Sequence, residues 1–144
     1  MSRHSTFEVM HNGEPQAAVG SVFILFLDGD LMVTSHQQIG PGLGGFTYLL
    51  LTQDRFGHSC DNLGDLDADG VTDMAIGAYG TAEEGTIFIT YLNSNGTVKS
   101  ASALGSGLGG FTIIFPASTS FGASLTFVGN HDSPNIPNNP DSSQ

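Results

Sequence analysis

The chain has 144 residues, enough for one domain with a modest core. Its 14 acidic and 3 basic residues give a formal charge of −11, which argues against nucleic acid and anionic membrane surfaces, because both attract Lys and Arg. No apolar run approaches the ~20 residues of a membrane span, and a lone cysteine, Cys60, gives no disulfide framework.

Residues 1–16 are too polar for a signal peptide. Within them, Thr6-Phe7-Glu8-Val9-Met10 reads as a worn copy of the strand Thr72 to Ile76. The first clear strand is Val22 to Leu27, in Gly20-Ser21-Val22-Phe23-Ile24-Leu25-Phe26-Leu27, with a hairpin signal at Asp28-Gly29. Late strands of this unit run from about Gly20 to Ser35. The Gly-rich run Gly40 to Gly45 has no following Lys-Ser/Thr and no helix, so it reads as a linker, not a phosphate cradle. Tyr48 to Leu51 is a further apolar run of strand length. Phe56-Gly57-His58-Ser59 follows, then an acidic loop, then the strands Met74 to Ile76 and Ile87 to Leu92, the latter closed by the hairpin signal Asn95-Gly96. No window shows a convincing helical period with caps.

The remaining elements are second appearances. Gly20 to Leu27 returns as Gly85 to Leu92, Gly42-Leu43-Gly44-Gly45-Phe46-Thr47 returns unchanged from Gly107, and Phe56-Gly57 returns as Phe121-Gly122. The offsets 85 − 20, 107 − 42 and 121 − 56 all equal 65. One period shared by three segments marks a duplication. A repeat of this size with about four strands and Gly-rich turns predicts an all-β fold of β-propeller blades, each a four-stranded antiparallel sheet. The chain holds about two blade-equivalents and forms an incomplete propeller. It divides into a degenerate blade start (1–19), late strands of a first blade (20–43), a complete blade (44–108), the opening of the next (109–130) and a polar, Pro-rich tail expected to lack order (131–144). Phe56 and Phe121 are expected to be equivalent core anchors, with Phe121 to Gly129 an opening strand.

The acidic loop carries the chemistry. Asp65-Leu66-Asp67-Ala68-Asp69-Gly70-Val71-Thr72-Asp73 places carboxylates at positions 1, 3, 5 and 9, with glycine at the turn. Alternate side chains converge, the carbonyl of Val71 joins them, and Asp73 closes the shell. Oxygen-only donors in this number suit Ca²⁺ before Mg²⁺. An acidic, solvated turn is the bland alternative. Against it, no Lys or Arg occurs between Arg55 and Lys99 to neutralise four carboxylates locally. An EF-hand needs Glu at position 12, which here is Ile76.

Phe56-Gly57, Gly64-Asp65 opening the loop, Ile76-Gly77-Ala78-Tyr79, and Gly85-Thr86-Ile87-Phe88-Ile89 together resemble an FG-GAP repeat, the unit of the β-propellers of integrin α subunits and of many bacterial secreted proteins. The Gly-Gly-Phe stretch before Phe56 and the hairpin Asn95 to Ser100 are similar to the bacterial versions in particular. Tyr79 stands where the family usually has proline. The resemblance covers one repeat, Gly44 to Ser100, and extends more weakly over residues 12 to 130. It implies a four-stranded blade whose calcium loop joins the first two strands, with Asp65, Asp67, Asp69, Val71 and Asp73 as metal ligands. It also implies an extracellular or cell-surface setting and partners that bind elsewhere. In the repeat frame the third loop carries Asn130, Asp132, Pro134 and Asn138 where the aspartates stood, and is expected to have lost its metal.

Four classes of function are weighed. A non-catalytic, calcium-stabilised module for protein recognition or adhesion fits the loop, the repeat and the resemblance. An enzyme is disfavoured, since His58 and Ser59 are neighbours on one strand and point to opposite faces. A lectin-like propeller assembled from several chains lacks tryptophan for sugar stacking, although tyrosines could substitute. A passive structural fragment of a larger propeller fits equally well. The ligand, protein or glycan, is not identified, and head-to-tail association of copies could complete the missing blade.

Overall fold

The computed structural model describes the backbone of residues 3–9 and all of residues 19–129. Strands β1 (Arg3–Val9), β2 (Ser21–Leu27) and β3 (Val33–Ile39) form one sheet in chain order. Strands β4 (Phe56–Gly64), β5 (Asp73–Ala78), β6 (Thr86–Leu92) and β7 (Val98–Gly105) form a second. Every pairing is antiparallel. The one helical feature among the described residues is a 3-10 turn at Thr81–Glu83. The fold is all-β, a four-stranded and a three-stranded blade-like sheet, with no closed ring among the described residues.

The duplication is written into the backbone. Val22 pairs Ile39 in the first sheet and Ile87 pairs Leu104 in the second, both partners 65 residues on. Each hairpin carries a bulge at the same place, between Phe26 and Leu27 and between Tyr91 and Leu92. The bridges Gly40–Leu43 and Gly105–Leu108 match as well. Ahead of each β4-type segment, Phe56 N–H donates to the carbonyl of Val19 and Phe121 N–H to that of Glu84, both at 2.8 Å. The chain ahead must come very close for this. A Cβ on Gly20 would lie 2.0 Å from the Phe56 carbonyl oxygen, and one on Gly85 2.1 Å from that of Phe121.

Four expectations need correction. The β1 strand exists, but its register differs from the one read from sequence. Thr6 faces Ile24, whereas Ala75 faces Ile89, so Thr6 answers to Ala75 at an offset of 75 − 6 = 69, and Met10 lies outside the described residues. Hairpin chemistry also differs between copies: the positive φ of Gly96 (81°) is matched at position 31, where Leu31 takes φ 63°, and not at Gly29. Asp28 holds that turn instead, its Oδ1 accepting from the N–H groups of Asp30 and Met32, both at 2.9 Å. Tyr48 to Leu51 is no strand, because no neighbouring strand offers it a ladder; Leu50 alone turns inward, at 6 % exposure, while Leu49 stays 83 % exposed. Phe121 to Gly129 likewise joins no sheet among the described residues.

One core lies between the two sheets. Val22, Ile24 and Ile39 come from the first sheet, and Phe56, Met74, Ile76, Phe88 and Leu92 from the second. Phe46 inserts from the linker, its ring 4.6 Å from that of Phe56 and 5.2 Å from that of Phe88. Strand β6 alternates buried and half-buried residues, as a strand with one core-facing side should. Strand β5 is buried along its whole length, being paired on both edges. One of its faces also meets the 121–129 segment, whose Gly122 oxygen would lie 2.0 Å from a Cβ on Gly77. Cys60 is half-buried against the core, in keeping with a small packing residue.

Candidate metal centre

The 65–73 loop connects the end of β4 to the start of β5. Gly64 pairs Asp73 across its base, so the register of the sheet brings the first and last carboxylates together. Asp65, Asp67 and Asp73 each offer a carboxylate oxygen, and these oxygens lie within 4.8 Å of one another. The loop is wound by its own side chains. Asp65 Oδ1 accepts from Asp69 N–H at 3.0 Å and Oδ2 from Gly70 N–H at 2.8 Å. Positive φ at Ala68 and Gly70 makes the corners.

Asp73 is fully buried and ties three elements together. Its Oδ2 accepts from Leu66 N–H at 2.8 Å and its Oδ1 from Leu92 N–H, at the end of β6, at 3.0 Å. Each oxygen retains a further lone pair for a cation. Donors that are all oxygen, three of them carboxylates already gathered, are the set a hard divalent ion prefers.

Of the four aspartates expected as ligands, Asp69 does not join the gathered group. Asp69 Oδ1 accepts from Val71 N–H at 2.8 Å, and its Oδ2 accepts from Lys99 Nζ. Lys99 also sits 2.6 Å from Asp67 Oδ2. The ammonium, followed by the Val71 N–H, holds the Asp69 carboxyl below its ordinary value of 3.8. The carboxylates of Asp67 and Asp69 in turn raise Lys99 above its ordinary 10.5. Val71 is half-buried and packs against the core cluster.

Lys99 is the residue that sequence reasoning missed. Counting along the chain left the loop without a cation, yet β6 ends and β7 begins at the same edge of the sheet where β5 starts. Leu92 bonds Asp73 and pairs Val98, so the next residue lands beside the loop. The hairpin at Asn95-Gly96, read together with the repeat, carried that signal. His58 and Ser59 diverge as strand neighbours should: His58 packs edge-on to Tyr79 with ring centroids 4.6 Å apart, while Ser59 Oγ donates to the Gly122 carbonyl at 2.6 Å. The third-loop positions Asn130, Asp132, Pro134 and Asn138, and the tail 131–144, lie outside the described residues.

Among the described residues, no helix is long and apolar enough to cross a membrane. No family model matches the chain. Among curated proteins it is similar to integrin alpha-5 of Xenopus laevis, at 41 % identity over 81 residues. That stretch is 55 % of this chain and 7 % of the relative, so the chain spans a small part of the protein it matches.

Proposed function

We propose that the chain is a non-catalytic, calcium-binding β-propeller module of the FG-GAP kind, with a mainly structural metal, serving protein recognition or adhesion outside the cell. The observation that carries this reading is the gathering of Asp65, Asp67 and Asp73 at the joint of β4, β5 and β6. The similarity to integrin alpha-5 supports the same reading, and the Gly-Gly-Phe and Asn95 to Ser100 stretches favour the bacterial secreted kind. Asp65, Asp67, Asp69, Asp73 and the Val71 carbonyl would hold the ion. Bound there, it supplies positive charge that relieves repulsion between the carboxylates and fastens the loop to the sheet.

Modules of this sort bind calcium with dissociation constants of about 10⁻⁴ to 10⁻³ M. Thermal melting with calcium and with chelator tests the reading. Wild type should melt higher with calcium, and Asp67→Ala should not; equal melting of both proteins in both buffers would refute it. The partner surface lies away from the metal in this reading, and a glycan array beside a pull-down with extracellular proteins tells glycan from protein ligands. Segment 121–129 occupies the place that β4 holds one repeat earlier, and strands from elsewhere in a propeller, including a second copy, would complete its sheet. Light scattering on calcium-loaded protein reads whether copies associate.

A further inference from the structure

We propose that Lys99 is a built-in competitor for the calcium loop, an ammonium that holds the loop carboxylates together without metal and must leave them when the ion binds. This rests on the metal reading above and adds the element that sets its affinity.

The geometry assigns Lys99 this role in three steps. Its Nζ lies between two of the four loop aspartates, 2.6 Å from Asp67 Oδ2 and hydrogen-bonded to Asp69 Oδ2. Asp67 is shared, since its carboxylate also belongs to the converging group with Asp65 and Asp73. Asp69 is absent from that group, and both of its oxygens are engaged, one by Val71 N–H and the other by the ammonium. Turning Asp69 Oδ2 toward the gathered carboxylates carries it away from the ammonium from which it now accepts. A divalent ion and an ammonium held on the same pair of carboxylates repel each other at a few ångströms, so each weakens the other's hold.

The exchange is physically accessible. The Lys99 side chain is 37 % exposed, and Asp67 and Asp69 are 30 % and 32 % exposed, so the ammonium can swing into water on its flexible stem. Ion pairs this exposed are individually weak, so a divalent charge displaces them once its concentration is sufficient. Without metal, the same contacts spare the loop the repulsion of an uncompensated acidic cluster.

Lys99 is the one lysine of the chain, which makes the test direct. Calcium titration calorimetry would be run on wild type, Lys99→Met and Lys99→Arg, with the rate of amine acetylation at Lys99 followed by mass spectrometry in chelator and in saturating calcium. The expected result is a dissociation constant about three- to tenfold lower in Lys99→Met, the worth of two half-exposed ion pairs, with Lys99→Arg close to wild type. Acetylation of wild-type Lys99 should speed up several-fold on calcium addition. Binding seen only in Lys99→Met would support the proposal in its strongest form. Calcium binding with unchanged acetylation overturns displacement, even if Lys99→Met binds more tightly, since a distant charge effect would then suffice. Binding of equal strength in wild type and Lys99→Met overturns the proposal and leaves the metal reading standing. No binding in any of the three proteins overturns both.

Discussion

Phe46 and Phe111 end the same five-residue lead, Gly-Leu-Gly-Gly-Phe, and their backbones agree closely. Gly42 and Gly107 have φ of 69° and 68°, Gly45 and Gly110 of 81° and 83°. Leu43 N–H donates to the Gly40 carbonyl and Leu108 N–H to that of Gly105, both at 2.9 Å. Yet Phe46 is 1 % exposed and Phe111 is 37 % exposed. The ring of Phe46 packs against Phe56 and Phe88 under a complete four-stranded sheet. Among the described residues the ring of Phe111 meets those of Phe115 and Phe121, at 5.5 and 5.6 Å, over residues that join no ladder. Local sequence therefore sets the turn, and the strands that arrive later in the chain set the burial.

The largest test of this contrast is a pair of truncations. Phe56→Ala should cost roughly 3–5 kcal/mol, the loss typical of a buried aromatic, which consumes much of a domain stability of about 5–15 kcal/mol. Phe121→Ala, at a half-buried ring, should cost about 1 kcal/mol. Urea melts compare them, and equal losses would show that the second copy is core after all. Next in size is the pair Gly20→Ala and Gly85→Ala. Both force a Cβ against a carbonyl oxygen at positive φ, but only Gly20 abuts a strand of a finished sheet. Gly20→Ala should cost about 3 kcal/mol and Gly85→Ala visibly less, since the 121–129 segment can shift aside.

Calcium at a hundredfold excess over its dissociation constant should add about 2.7 kcal/mol to unfolding, with one strong site per chain. A calorimetric stoichiometry near two would erase the difference between the 65–73 loop and its later counterpart.

The smallest effect is on pH dependence in chelator. Asp69 is held below its ordinary 3.8, so its contribution is complete above that value and is lost as pH falls through its lower folded value. Lys99 is raised above its ordinary 10.5, so its contribution is complete below that value and is lost as pH rises through its higher folded one. A melting-temperature profile that sags at both extremes in wild type should sag less at both in Lys99→Met, the acid side keeping the part that the Val71 N–H contributes.

Much of this was readable from the residues, for reasons of range. The all-β class followed from apolar runs and turns, and the shared 65-residue period returns in the structure as bulges and bridges at matching places. The candidate ligands could be named because their spacing is local. What escaped depended on partners across space. Tyr48 to Leu51 has strand composition without a neighbour to pair with. Lys99 reaches Asp69 over 30 residues through the register of a hairpin. Leu31 takes a conformation that its side chain disfavours because a bulged hairpin requires it there. The β1 register slipped because Thr6 answers to Ala75, at an offset of 69, where the reading against Thr72 took 72 − 6 = 66.

The joint from Val19 to Phe56, and again from Glu84 to Phe121, bears on how such a chain could have grown. It is made by main-chain atoms and asks only that the next residue, Gly20 or Gly85, carry no Cβ. A valine in one copy and a glutamate in the other, as unlike as two residues can be, leave its length unchanged at 2.8 Å. Drift in side chains beside the joint is therefore invisible to it. A tandem copying event delivers each new unit with its own connector, and the count of units can change without any surface having to be reinvented.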